Sequence, residues 1–349
     1  MVEFRPELRF AEHAVDADTH VNLSAVRSDG DHLWIAGDET ATVELLRAEP
    51  GGYGGHVTFR LADLVALPGA RDAEVDVEGL ARAGRYLWAV GSHSARRKRV
   101  KRKHGEGKAI RRLATVTQEP DRRVLARLAV DTDETGRPTL VSTARDGATS
   151  AVLPGGVTQL IAEDRHLAPF LEIPGKDNGL DIEGIAVHGE AGSEWVHLGL
   201  RGPVLRGWAV VLGIRPAEGA TPGVLEPAPL HGDTRYRSVF LALDGLGVRD
   251  LCPDGDDLLV LAGPSMDLDG PVRMYRWRDA GDPDGPRLVR APQLQPELDL
   301  DFGAGDDHAE GIALLDGRRL LVVHDSPAPW RLANRGSVLA DVVSLVARG

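Results

Sequence analysis

Asp76-Val77-Glu78-Gly79-Leu80-Ala81 returns as Asp181-Ile182-Glu183-Gly184-Ile185-Ala186 and again as His308-Ala309-Glu310-Gly311-Ile312-Ala313. Two weaker copies are Asn22-Leu23-Ser24-Ala25-Val26 and Val248-Arg249-Asp250-Leu251-Cys252. Each copy leads through a turn into a second apolar strand: His32-Leu33-Trp34-Ile35-Ala36-Gly37, Tyr86-Leu87-Trp88-Ala89-Val90-Gly91, Trp195-Val196-His197-Leu198-Gly199, Leu258-Leu259-Val260-Leu261-Ala262-Gly263 and Leu320-Leu321-Val322-Val323-His324. Thirteen residues separate Ser24 from Gly37, Glu78 from Gly91 and Asp250 from Gly263, and sixteen separate Glu183 from Gly199. A two-strand unit that recurs five times, with the same spacing in three copies and a longer turn in a fourth, is an internal repeat, and repeats decide a fold before local propensity does.

The copies are 54, 105, 67 and 60 residues apart, and 63 residues close the circle from Glu310 through the termini to Ser24. Propellers use roughly 40–60 residues per four-stranded blade. The expected fold is therefore all-β, a single β-propeller over residues 1–349. Five blades are favoured, and the interval of 105 leaves a sixth open. Closure implies that Val2 to Phe10 completes the blade begun near Glu310, which removes a free sheet edge. The long interval holds a basic loop at 96–108 and a segment at 150–170 read as a short helical insertion, helical near Thr158–His166. Val57–Leu61, Gly207–Ile214, Val239–Leu243 and Val338–Val346 read as outer strands, the last equally as a helix. Asp254-Gly255, Asp269-Gly270 and Asp316-Gly317 are hairpin-turn signals.

Composition agrees. The 41 glycines and 22 prolines favour turns over long helices. The lone Cys252 excludes an internal disulfide and reads as a small core residue in a reducing compartment. No leader-like or membrane-spanning apolar run is visible, so the expectation is a cytoplasmic protein without a membrane association. A net charge of −12 argues against nucleic acid as a partner. The run Arg96-Arg97-Lys98-Arg99-Val100-Lys101-Arg102-Lys103 is the exception. It reads as a solvated loop, or as a cationic flap that captures an anionic substrate or docks an acidic partner.

In a propeller the start of each innermost strand and the end of the strand returning from it meet at one mouth of the central channel. The starts bring Asn22, Asp76, Glu78, Asp181, Glu183, Asp250, His308 and Glu310. The ends bring Asp38, His93, Arg201, Ser265, His324 and Asp325. Carboxylates so gathered repel, by about 4 kcal/mol for a pair at 4 Å and an effective dielectric near 20. The remedies are Ca2+ or Mg2+ held by Asp76, Glu78, Asp181, Glu183, Asp250 and Glu310, pairing with Arg201 and Arg249, or retained protons. A purely structural use, each Glu bonding the neighbouring blade, stands beside them. His93, His308 and Arg201 are the catalytic candidates, the histidines as bases with an ordinary pKa near 6.5.

The stretches Lys176-Asp177-Asn178-Gly179-Leu180-Asp181-Ile182-Glu183-Gly184, Gly199-Leu200-Arg201-Gly202-Pro203-Val204, Gly245-Leu246-Gly247-Val248-Arg249-Asp250-Leu251, Leu261-Ala262-Gly263-Pro264 and His308-Ala309-Glu310-Gly311-Ile312 resemble a bacterial family known as domain of unknown function 3616. The resemblance spans nearly the whole chain and implies the fold without an activity. More distantly, Asp-x-Glu-Gly-Leu/Ile-Ala is similar to the pattern of phytase-like esterase propellers, which implies ester or phosphoester hydrolysis by analogy. Two expectations follow. One is a metal-assisted hydrolase or binder of a small, anionic molecule, and the other is a non-catalytic scaffold that docks a protein partner.

Overall fold

The computed structural model describes residues 2–71, 73–190 and 192–345. Five sheets, each built on four antiparallel strands, form a ring around one axis, so the fold is a five-bladed β-propeller. Blade 1 runs outward through Leu23–Asp29, His32–Gly37, Thr42–Glu49 and Gly52–Arg60. Blade 2 uses Val77–Ala83, Tyr86–Gly91, Leu125–Thr132 and Pro138–Val141. Blade 3 uses Asp181–His188, Trp195–Gly202, Ala209–Ile214 and Tyr236–Leu241. Blade 4 uses Gly247–Asp254, Asp257–Gly263, Val272–Trp277 and Leu294–Leu300. Blade 5 uses His308–Leu314, Arg319–Asp325, Asp341–Ser344 and Val2–Phe4.

Strand alternation explains the ring. Successive side chains point to opposite faces, so each blade offers one apolar face to each neighbour. In blade 1, Trp34 and Ala36 pack toward Leu80 and Leu87 of blade 2, while Leu33 and Ile35 pack toward Leu321 and Val323 of blade 5. Five buried clusters fill the five seams. Cys252 lies in the seam between blades 4 and 5, as a small core residue. Gly79, Gly184 and Gly311 stand where a Cβ would press on the inner strand of the next blade, against Glu183 O, Asp250 C and Val26 N respectively.

The structure amends the sequence reading at four places. Of Val2 to Phe10, only Val2–Phe4 completes blade 5; Glu7–Arg9 crosses to the outer edge of blade 1 and pairs there with Ser337–Leu339. The C-terminal stretch is two strands, Ser337–Leu339 and Asp341–Ser344, and Val346 lies outside the described residues. No α-helix forms near Thr158–His166; the segment is a chain of turns closed by bonds such as Leu160 N–H to Val157 O, and Gly155 and Gly156 at positive φ open it. The basic insertion is larger than a loop. Ala95–Arg97 and Val116–Gln118 pair as a hairpin that carries a helix, Glu106–Leu113. That hairpin and the turn-rich segment account for the long interval, so no sixth blade is present among the described residues.

Candidate functional site

Each innermost strand carries a β-bulge near its start, where one residue is skipped in the ladder. The skipped residues are Ser24, Glu78, Glu183, Arg249 and Glu310. A bulge leaves its residue unpaired and re-aims its side chain, here at the mouth of the channel. The spacing to Gly263 aligns Asp250 with the glutamates, but the ladder aligns Arg249 instead. Asp250 therefore leaves the candidate metal set. It lies one step deeper, fully buried, where Arg27 bonds it through both terminal nitrogens at 2.8 and 2.6 Å. Arg27 also donates to the carbonyls of Ile185, Leu251 and Ile312, and so reaches blades 3, 4 and 5 from blade 1. This cross-axis pair floors the mouth.

Above the floor, the charges divide into two halves. On the side of blades 3 and 4, arginines neutralise the acids. Arg201 donates to Glu183 at 2.7 Å, and Arg249 donates to Glu310 at 2.6 Å while lying 3.4 Å from the second oxygen of Glu183. Burial pushes Glu183 up, but Arg201 and Arg249 outweigh it and hold its carboxyl below the usual value. Solvent-facing Lys176 overhangs this side; dehydration and Arg201 push its ammonium down, and Glu310, Asp267 and Asp181 prevail to raise it.

The side of blades 5, 1 and 2 is acidic. Oxygens of Asp38, Asp76 and Glu78 lie within 4.8 Å of one another, as do ligand atoms of His308, Glu310 and Asp325. Asp76, at a left-handed φ of 57°, takes a 2.6 Å bond from Arg122. Among the described residues, Glu78 has no such support. Burial and then Asp76, Glu183, Glu310 and Asp38 all push it well above the usual carboxylate range. Asp38 rises to about 7 through burial and the charges of Asp325 and Asp76, and its Oδ1 is buried without a hydrogen-bond partner. Burial also lifts Asp181 to about 7, Asp76 to about 6 and Glu310 to about 8, the last against the opposing pull of Arg249.

Two histidines depart from their expected place. His93 is not a mouth base. Its Nδ1 bonds Gly91 O at 2.7 Å and its Nε2 accepts from Val157 N–H at 3.1 Å, so both ring nitrogens serve the backbone, and burial lowers it to about 4. His324 faces Arg331 and Asp341, and is likewise lowered to about 4, by burial and then Arg331. His308 does stand at the mouth, 3.6 Å from Asp269. Asp76, Glu78, Asp181, Glu183, Glu310 and Arg201 gather there as expected. Missed by sequence reasoning were Arg27, Arg122 and Lys176. Only Arg27 gave a signal, as a lone cation within an inner apolar strand.

The family model described as "Protein of unknown function (DUF3616)" matches residues 22–341, which takes in every residue of the mouth. The chain belongs to this family. Family membership brings no activity with it. No curated protein matches the sequence. Among solved structures, the chain is similar to Myxococcus xanthus glutaminyl cyclase at 10% identity and TM-score 0.40, covering 99% of this chain and 97% of that one. It is also similar to the Cps50 (Swd1) β-propeller domain of Myceliophthora thermophila at 11% and 0.37, covering 98% and 99%. A PQQ-bound aldose sugar dehydrogenase from Streptomyces coelicolor matches at 12% and 0.38, covering 97% and 99%. Among the described residues no helix is long and apolar enough to cross a membrane.

Proposed function

We propose that the mouth binds one divalent cation, Ca2+ or Mg2+, on Asp38, Asp76 and Glu78, and uses it to hold a small anionic ligand against Lys176 and Arg201. The observation that carries this reading is the excess acidity of blades 1 and 2, where Arg122 bonds Asp76 but, among the described residues, no arginine or lysine bonds Asp38 or Glu78. Three carboxylates converge within 4.8 Å, and Asp38 Oδ1 is buried with no hydrogen-bond donor. A hard cation takes such oxygens as ligands and relieves their repulsion. Bound there, it would polarise an ester or phosphoryl oxygen and acidify a water. The residues would then divide the work: Lys176 and Arg201 attract the substrate's negative charge, and His308 accepts a proton from water. Ester or phosphoester hydrolysis is the reaction this set suits best.

The Arg249 link between Glu183 and Glu310 favours a second reading, in which the repeat only ties blades together and the protein is a scaffold. Calorimetric titration of chelator-stripped protein with Ca2+ and with Mg2+ separates the two. The expected result is one equivalent of one ion, with affinity reduced at least about tenfold in Glu78→Gln and Asp38→Asn while the fold is kept. No uptake of either ion, with both variants melting higher than wild type because repulsion is relieved, would leave the scaffold reading standing.

A further inference from the structure

The insertion between the second and third strands of blade 2 is the most unequal part of the surface. From Arg96 to Arg112 it holds ten Lys and Arg against one acid, Glu106, in a chain whose net charge is −12. Its acidic contacts are at its root, where Arg97 bonds Asp177 at 2.6 Å and Arg96 lies 4.0 Å from Glu74. Among the described residues, Lys98, Arg99, Lys101, Arg102, Lys103, Lys108, Arg111 and Arg112 form no ion pair with a carboxylate. The same insertion exposes aliphatic side chains: Ile110 at 59% and Leu113 at 54% on the helix, with Val100 in the loop before it and Val116 on the hairpin's second strand. Ile110 and Leu113 are three apart and share a helix face, and nothing in the fold covers them.

We propose that this hairpin and helix dock the protein on an anionic lipid bilayer, the cations meeting headgroups and Ile110 and Leu113 entering the interface. Charge and exposed aliphatics in one short element are the two signals that reversible membrane attachment requires. Nucleic acid fits less well. Residues 95–118 contain no Phe, Tyr or Trp on which a base could stack, and exposed Ile and Leu gain nothing from a phosphate backbone. A protein interface of ordinary kind would carry an aromatic anchor and fewer lysines. The inference is independent of the cation site, although Asp177, which anchors Arg97, adjoins Lys176 and so sets the docking element beside the mouth.

Vesicle co-sedimentation tests it, with phosphatidylcholine alone and with about a third of the lipid replaced by phosphatidylglycerol. Wild type should bind the anionic vesicles at least about tenfold more tightly than neutral ones and release them near ~0.5 M salt, where screening is short-ranged. Replacing Lys98, Arg99, Lys101, Arg102 and Lys103 with Ser should abolish binding. The pair Ile110→Ser and Leu113→Ser, at exposed positions that leave the ring intact, should weaken it about fivefold to tenfold. Failure to bind anionic vesicles would overturn the proposal. So would retention on heparin or duplex DNA that matches vesicle binding and is indifferent to the Ile110 and Leu113 changes, since that is plain polyanion contact.

Discussion

His197 shows how much of this protein's chemistry is set by where a side chain is buried. It sits on the second strand of blade 3, packed against His188, Trp195 and Trp277, and neither ring nitrogen has a hydrogen-bond partner. Burial first, then the charges of His188 and Arg237, lower it to about 3. In the unfolded chain the same ring titrates near ~6.5. As the pH falls below that value the unfolded state takes up a proton that the folded state refuses. The stability contributed by neutral His197 is thus complete above about pH 6.5 and lost progressively toward pH 3. His197→Phe, which removes the titrating group and abandons no hydrogen bond, should lose less stability than wild type between about pH 7 and 4. Urea midpoints at the two pH values give the comparison, and parallel losses would show that His197 is not held neutral by the fold. At this scale the sequence was only partly legible. Glu78, Glu183 and Glu310 announce themselves through their following Gly. Arg249 does not, because the closing glycine of blade 4 lies one residue further along its strand: Val77 pairs with Gly91, but Val248 pairs with Ala262.

Closure of the ring depends on short terminal strands. Val2–Phe4 pairs with Asp341–Ser344 at the rim of blade 5, and Glu7–Arg9 pairs with Ser337–Leu339 at the rim of blade 1. The two chain ends are interlaced across a single seam. Leu8 is the apolar anchor of that crossing. It is fully buried in a cluster with Phe10, Leu46 and Val338. Leu8→Ala should cost about 2–5 kcal/mol, the range for a buried Leu whose cavity collapses poorly. Denaturant titration measures the loss, and a cost below about 1 kcal/mol would mean that the terminal strands contribute little to the ring. That the N-terminus closes the circle was legible from the interval arithmetic. Its division between two blades was not, since three-residue strands carry no periodicity long enough to read.

Seen whole, the molecule differs from an open repeat array in one respect that matters for unfolding. In a solenoid each repeat touches only its neighbours, so stability is a sum of nearest-neighbour terms and ends can fray. Here the five seams close on themselves, and Arg27 reaches from blade 1 across the axis to Asp250 of blade 4, a pair 223 residues apart in sequence. No repeat pattern reveals such a link, because it joins residues that occupy different places in their copies. It ties blades that share no seam, so loosening one blade strains all the others. A chain of this length would ordinarily unfold in stages, whereas this linkage predicts one calorimetric transition whose enthalpy matches the van't Hoff value. Arg27→Met leaves Asp250 buried without its counter-charge, and breaking a buried pair in this way costs about 3–5 kcal/mol. The variant should melt lower and, with the cross-axis tie gone, over a broader range in which the calorimetric enthalpy exceeds the van't Hoff value. The double variant Arg27→Met with Asp250→Asn should recover part of the melting temperature, since no charge is stranded, but not the sharpness. A double variant as sharp as wild type would place the cooperativity in the seams alone.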